Sequence, residues 1–393
     1  MRAYTEWPFF EAHHEKLAKD IDAWAKKNLV HLAKELDGDI DALCGKILKA
    51  LSADDWLTYV VPKAYGGKFE EFDVRSLCII RETLARHLGL ADFVFIMQGL
   101  GSGAISLFGN DEQKQNYLPA VARGEKVAAF ALTEPKAGSD AASLAMTAED
   151  KGDHYILHGQ KTLISNGGIA DFYTVFARTG ETPGANGITA FIVDANSDGL
   201  EVAERMKVIA PHPLARLKFN DVKVDKSQVL GKPGEGFKVA MATLDVFRIS
   251  VAAAALGFAV CALDEAGKRA RSRKMFGAPM AELQMIQAML AEMALDVDAA
   301  ALLVTRAAWK RDVQKKRVTK EAAMAKLFAT EAAQSVVDKA VQIWGGMGVV
   351  TGQTVEHLYR EVRALRIYEG ASEVQKIVIA RKHLEELEKK YAP

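Results

Sequence analysis

An α+β fold that is mainly α is predicted by three textures along the chain. Helix-length apolar periodicity occupies both ends, and short β-rich runs bounded by turns lie between them. The order implies an N-terminal helical domain (1–126), a middle antiparallel β domain (127–234) and a C-terminal four-helix bundle (235–393). A length of 393 residues allows two or three domains at about 150 residues each.

The elements follow in order. Ile40, Leu43, Ile47, Leu48 and Leu51 repeat at helical spacing, as do Leu77, Ile80, Leu84 and Leu88. Gly109-Asn110-Asp111 breaks the pattern and turns the chain into a new helix. In the middle zone, 154–158, 172–176 and 188–193 read as strands. Turns at 166–168, 183–187 and 197–199 separate them, a punctuation that fits an antiparallel sheet or barrel rather than βαβ units. After Gly231–Gly236 the helical texture returns, with helices expected over 237–272, 280–314, 319–345, 352–364 and from 371. Abundant alanine supports them by propensity, and short breaks between long helices imply the bundle. No internal repeat and no low-complexity segment interrupts this order.

Composition narrows the functional classes. Lys+Arg and Asp+Glu both number 51, so the balanced charge offers no bulk attraction for nucleic acid or anionic lipid. Hydrophobic residues at 49% and charged ones at 26% belong to a globular chain rather than a disordered one. Cys44, Cys78 and Cys261 are scattered and odd in number, against a disulfide framework or a cysteine metal site. The longest nearly uncharged apolar stretch, Ile249–Leu263, falls short of the roughly 20 residues of a membrane span and reads as a buried helix. With no targeting pattern at the N-terminus, the expected setting is cytoplasmic. Stock signatures fail in turn. Gly99-Leu100-Gly101-Ser102-Gly103 has the wrong spacing for a dinucleotide loop and no strand before it. His154 and His158 lie in a strand-like run where a four-residue spacing makes no ligand face, so no metal is expected.

Four segments carry chemistry together. They are Ala131-Leu132-Thr133-Glu134-Pro135-Lys136-Ala137-Gly138-Ser139-Asp140, Gly159-Gln160-Lys161-Thr162-Leu163-Ile164-Ser165-Asn166-Gly167, Gln342-Ile343-Trp344-Gly345-Gly346-Met347-Gly348 and Ile367-Tyr368-Glu369-Gly370-Ala371-Ser372. In this order and spacing the chain resembles the acyl-CoA dehydrogenases, flavoenzymes that desaturate acyl-CoA thioesters, and the likeness runs over essentially its whole length. The resemblance implies FAD, an acyl-CoA substrate, electron-transfer flavoprotein as acceptor and a homotetramer. The chemistry demands such a cofactor, because no amino acid accepts hydride. A flavin oxidase or monooxygenase on the same scaffold is the second reading, and a straight- or branched-chain substrate is an alternative to the alicyclic one weighed below.

Residue by residue, the resemblance makes Glu369 the base that removes the α proton, with water expelled on substrate binding to raise its pKa. Alone, Glu369 would read as a glutamate at the mouth of a helix, favoured by its dipole. Thr133 and Ser165 are implied at the isoalloxazine, and Ser139 at the flavin phosphate or the CoA arm. Arg273, Phe276 and Gln284 are implied at the FAD of a neighbouring subunit, and Gln342, Gly345 and Gly346 at its adenosine diphosphate. Asp245, Arg248, Tyr368 and Gly370 are implied at the substrate, with Asp245 and Arg248 alternatively a helical i,i+3 ion pair. Phe247 stands where some relatives place their base, and Leu163 where many carry a tryptophan.

Asp92 departs most from the family. Residues 92, 96, 99 and 103 share a helix face implied to line the acyl pocket, where Gly99 and Gly103 would leave space. Asp92 reads either as an N-cap or as a carboxylate facing the acyl group, a poor neighbour for a fatty tail. The second reading makes it a second base for a ring substrate, as in cyclohexane- and cyclohexene-carboxyl-CoA dehydrogenases, or a partner for a polar acyl substituent.

Overall fold

The protein is described by a computed structural model covering residues 3–180 and 184–391. Pro183 of the expected 183–187 turn and the outermost residues of both terminal domains lie outside the described residues, while Gly184–Gly187 forms a single 3-10 turn. The chain begins with α1 (Ala12–Leu32), α2 (Ile40–Ala53), α3 (Val74–His87), α4 (Gly89–Phe108) and α5 (Asp111–Ala122). Strands β1 (Ala128–Ala131), β2 (Thr147–Asp150), β3 (His154–Ser165), β4 (Phe172–Arg178), β5 (Ile188–Asp194), β6 (Leu200–Met206), β7 (Leu214–Asp225) and β8 (Val229–Leu230) follow. Then come α6 (Gly236–Ser272), a hairpin of β9 (Lys274–Met275) and β10 (Ala278–Pro279), α7 (Gln284–Asp312), α8 (Thr319–Trp344), α9 (Thr354–Leu365) and α10 (Ser372–Tyr391). This is the mainly helical α/β/α order that the textures predict.

These elements gather into two compact units. The helical unit holds the residues up to Val30, Val74–Asp92 and the chain from Arg248 on; the β-containing unit holds His31–Asp73 and Phe93–Phe247.

In the helical unit, α8 packs against α7, α9 and α10. Its inner face is small: Ala322, Ala325, Ala329, Ala333 and Ala340 are buried with Val336 and Val337, which lets neighbouring helices approach closely. α9 buries Val355, Leu358, Val362 and Leu365 at the spacing of one helix face. α8 ends at Gly345, whose φ of 63° and ψ of −144° lie where only glycine is comfortable.

In the β-containing unit the strand order is β6-β7-β3-β2-β4-β5-β8, with β1 beside β4. Most neighbours are antiparallel, as expected, but β1 and β2 both run parallel to β4. The chain between β1 and β4 travels out through β2 and β3, the long crossover that parallel neighbours require. Leu157, Ile164, Val175, Phe191, Leu217 and Phe219 fill the core beneath the sheet. The expected strand 154–158 continues to Ser165 through two register shifts, and β6 and β7 were not foreseen. β6 is exposed along most of its length and so lacks the alternation that reveals a strand. α4 lies hard on β1: a Cβ at Gly101 would fall 2.6 Å from the Ala128 carbonyl carbon.

Length alone does not exclude a membrane span. The stretch Ile249–Leu263 belongs to the much longer α6, and both α4 and α6 are long and apolar enough to cross a bilayer. Their most apolar windows are 94% and 78% buried inside the protein, the pattern of core helices.

Candidate active site

The loop between α9 and α10 carries Glu369 in an unusual backbone. α9 closes with the Ile367 and Tyr368 N–H groups donating to the Ala364 carbonyl, and Ser372 N–H reaches back to the Arg366 carbonyl at 3.1 Å. Between these ties Glu369 has φ 52° and Gly370 φ 95°. A left-handed non-glycine residue costs on the order of 1–3 kcal/mol and persists only where its surroundings enforce it. The enforcement is visible. Gln375 Nε2 donates to the Gly370 carbonyl at 2.9 Å, and Arg248 Nε to the Glu369 carbonyl at 3.3 Å. Glu331 on α8 holds both ends of the loop, pairing with Arg366 at 2.7 Å and accepting from the Ser372 hydroxyl. A Cβ at Gly370 would meet Gln375 Nε2 at 2.3 Å, so glycine is required there.

The carboxylate itself is left open. Its Oε2 atom is buried with no hydrogen-bond partner among the described residues. Burial pushes the Glu369 carboxyl above its ordinary value, while Arg81, Arg248 and Lys326 pull the other way. A desolvated carboxylate within a cationic surround is a strong base that can still ionise.

Asp92 is neither the N-cap nor the unpaired carboxylate expected. α4 begins at Gly89, which places Asp92 inside the first turn. Its two oxygens accept from Arg81 Nε and Nη2, each at 2.7 Å, and Arg81 Nη1 donates to the Ser250 hydroxyl at 3.1 Å. Both side chains are buried, at 2% and 7% exposure. Such a bidentate pair compensates the charge that an acyl group would otherwise face. The open face expected at Gly99 and Gly103 is also filled. Cβ atoms there would come within 2.9 and 2.7 Å of the Phe247 ring, which is wholly buried edge-on to Phe72.

In the β-containing unit the expected Thr133 lies just beyond β1 and accepts from Thr162 N–H at 2.9 Å, three residues before the expected Ser165 at the end of β3. Both are partly exposed, and Ser139 is exposed in the following turn. Sequence reasoning missed what anchors them. Lys161 is fully buried, meets Glu134 at 2.8 Å and donates to the Leu132 carbonyl at 3.0 Å. Glu134 in turn accepts the Ala145 and Met146 N–H groups at 2.6 and 3.0 Å. Both residues lie inside the quoted motifs, but a single chain gives no sign that two motifs meet. Asp245, expected at the substrate, is half-buried on α6.

Three features suit a flavin nucleotide. Leu163 sits in left-handed backbone (φ 55°) at the β3 register shift and is 49% exposed, an apolar face turned outward beside Thr133. Phe276 caps the β9–β10 hairpin at φ 53° and is 90% exposed; Arg273 and Gln284 are exposed on either side of that hairpin. Gly345 and Gly346, exposed beside the exposed Gln342, have nothing within 4 Å of where a Cβ would lie. Taken unit by unit, the Leu163 face suits an aromatic ring, and the exposed Phe276 with the open Gly345–Gly346 backbone suits an aromatic group and a polar tail.

Family models for the acyl-CoA dehydrogenase N-terminal, middle and C-terminal domains match residues 11–125, 129–222 and 234–384 in that order. The chain belongs to the acyl-CoA dehydrogenase family. It is 43% identical to the 3-(aryl)acrylate reductase of Clostridium sporogenes, over 95% of this chain and 98% of that protein. It is 40% identical to the short-chain specific acyl-CoA dehydrogenase of Rattus norvegicus mitochondria, over 93% and 89% of the two chains. The caffeyl-CoA reductase-Etf complex subunit CarC of Acetobacterium woodii is also 40% identical, over 93% and 96%. Among solved structures, the acyl-CoA dehydrogenase complexed with FAD from Bacillus anthracis superposes with a TM-score of 0.90 at 30% identity, covering 97% of this chain and 68% of that one. This family member is an oxidoreductase with FAD as cofactor.

Proposed function

We propose that the chain is an acyl-CoA dehydrogenase acting on a compact acyl thioester, with Glu369 as the base for the α proton and electron-transfer flavoprotein as redox partner. The observation that carries this reading is the buried, unpartnered Oε2 of the half-buried Glu369, on a clamped left-handed loop. FAD, when bound, supplies the hydride acceptor that no side chain can provide. Glu369 takes the proton from Cα, and its desolvation makes the ionised form more basic at the moment of transfer. Thr133, Ser165 and the Leu163 face would hold the ring, and Ser139 the phosphate or CoA arm. Gln342, Gly345 and Gly346 would take the adenosine diphosphate. Arg248 holds the Glu369 carbonyl, and Tyr368 and Gly370 would face the thioester.

Support for a compact acyl group comes from Phe247, whose ring occupies the groove that the α4 glycines would otherwise open. The cyclohexane- or cyclohexene-carboxyl-CoA reading needed Asp92 as an available second base, and its pairing with Arg81 withdraws that support. That two relatives are named as reductases is compatible with this reading, since a base in one direction is the acid in the other. The subunit named with Etf supports the electron acceptor. Exposed Phe276, Met285 and Leu295 on the hairpin and α7 suit a homotetramer that covers them.

The test is an anaerobic absorbance titration with butyryl-, octanoyl-, cyclohexanecarboxyl- and cyclohexenecarboxyl-CoA. Butyryl-CoA is expected to bleach the bound flavin fastest. Glu369→Gln should stay yellow and bind the ester but bleach about 10²–10⁴-fold more slowly. Undiminished bleaching in that variant overturns the base assignment. Preference for octanoyl-CoA overturns the compact pocket, and preference for the cyclohexenyl ester restores the alicyclic reading.

A further inference from the structure

Lys326 is an anomaly on the inner face of α8. It is fully buried in a run of alanines, yet no carboxylate lies within ion-pairing distance of its Nζ among the described residues. Buried ammonium groups are ordinarily matched by a carboxylate, because an uncompensated charge in the interior is expensive. This one donates instead to the Gly370 carbonyl at 2.8 Å. That carbonyl already accepts from Gln375 Nε2 at 2.9 Å, so the lysine is not needed merely to satisfy it. What a second donor adds is direction and charge. With Arg248 and Gln375 at the Glu369 carbonyl, donors from α6, α8 and α10 grip two successive carbonyls. Those two carbonyls define the strained turn on which the carboxylate stands.

We propose that Lys326 is a positioning residue for Glu369: by holding the Gly370 carbonyl it fixes the left-handed turn that aims the carboxylate. This rests on the reading of Glu369 as the base. Lys326 faces Glu369 on the loop, Arg248 on α6, Glu373 on α10 and Glu331 on its own helix. Burial and Arg248 push its ammonium down to about 8, against the pull of the three carboxylates. Its charge favours the ionised form of Glu369. Positioning and charge therefore act on the same group, and substitutions separate them. Lys326→Gln keeps an amide donor without the charge, Lys326→Met keeps neither, and Lys326→Arg keeps both.

The experiment measures kcat, KM and pH profiles of the FAD-loaded variants beside Glu369→Gln, with flavin absorbance and thermal unfolding as readouts independent of turnover. Lys326→Met is expected to lower kcat by about 10–100-fold, the scale of a small misplacement of a reacting group, with KM changed less. In both Lys326→Met and Lys326→Gln the acid limb of the kcat profile should move to higher pH, because a cation beside Glu369 is gone. Lys326→Arg should keep the acid limb in place. Should Lys326→Met fail to fold or to hold FAD, Lys326→Ala, which also lacks the donor, takes its place in the same kcat comparison. A wild-type kcat in folded, FAD-loaded Lys326→Met, with Glu369→Gln inactive, overturns the assignment of Lys326. Activity in Glu369→Gln instead overturns the base on which it rests.

Discussion

Two buried lysines, one in each unit, make an instructive pair. Lys161 and Lys326 are both fully enclosed, and burial pushes both ammonium groups down to about 8. Each donates to a backbone carbonyl next to a candidate site residue: Lys161 to Leu132 before Thr133, and Lys326 to Gly370 after Glu369. They differ in their carboxylates. Glu134 closes on Lys161 at 2.8 Å and uses its oxygens on two further N–H groups. Glu369 keeps its Oε2 unpartnered and desolvated. A satisfied network makes a rigid scaffold, while a carboxylate held near cations without touching them keeps its lone pairs for a substrate.

The largest effect separating the two regions is expected from breaking the closed pair. Glu134→Ala leaves Lys161 buried without its carboxylate and the Ala145 and Met146 N–H groups without their acceptor, and should destabilise the protein by about 3–5 kcal/mol in denaturant unfolding. Replacing both partners by Leu and Met should recover part of that loss, because part of the penalty belongs to the stranded lysine. An Ala variant as stable as wild type would show that Glu134–Lys161 is not the scaffold claimed.

At the open region the backbone itself is the target. Gly370→Ala forces a side chain into φ 95° and against Gln375 Nε2. It should cost about 1–3 kcal/mol. Flavin bleaching by butyryl-CoA should slow more than the stability loss explains, as the turn that aims Glu369 is displaced. Unchanged bleaching would mean that the strained geometry carries no function.

What the sequence disclosed follows from where the signals lie. Leu43, Ile47, Leu48 and Leu51 are buried on α2 as their spacing requires, and the turn at Asn110 becomes a capping box with Gln113. These are local periodicities and local hydrogen bonds. The motif order also placed Glu369 correctly on a loop at the head of α10. The rest depends on partners brought from afar. Arg81 and Asp92 sit on different helices, so no periodicity links them, and from sequence alone Asp92 reads as a cap or a free carboxylate. Phe247 fills the space left by Gly99 and Gly103 across two helices, a fit that glycine spacing alone presents as a void. Lys326 in an alanine-rich helix looks like any solvated lysine until the loop from beyond α9 is laid against it.

The smallest effect carries the sharpest sign. Glu369 is held above its ordinary value of 4.5, so its protonated form prefers the folded protein. Its contribution to stability is therefore fully present below pH 4.5 and is lost as pH rises through the raised folded value. Glutamine does not titrate. Glu369→Gln should consequently melt about 1–2 °C above wild type near pH 7.5, with saturating FAD, and the gap should close as pH falls toward 4.5. Asp92→Asn should move the opposite way at neutral pH, since it strands Arg81 in the interior. A proposed base that the fold would be steadier without, and a paired carboxylate that the fold needs, is the distinction the two melting curves would draw. If Glu369→Gln melts below wild type at pH 7.5, the surrounding cations outweigh burial, and Glu369 belongs with the satisfied pairs after all.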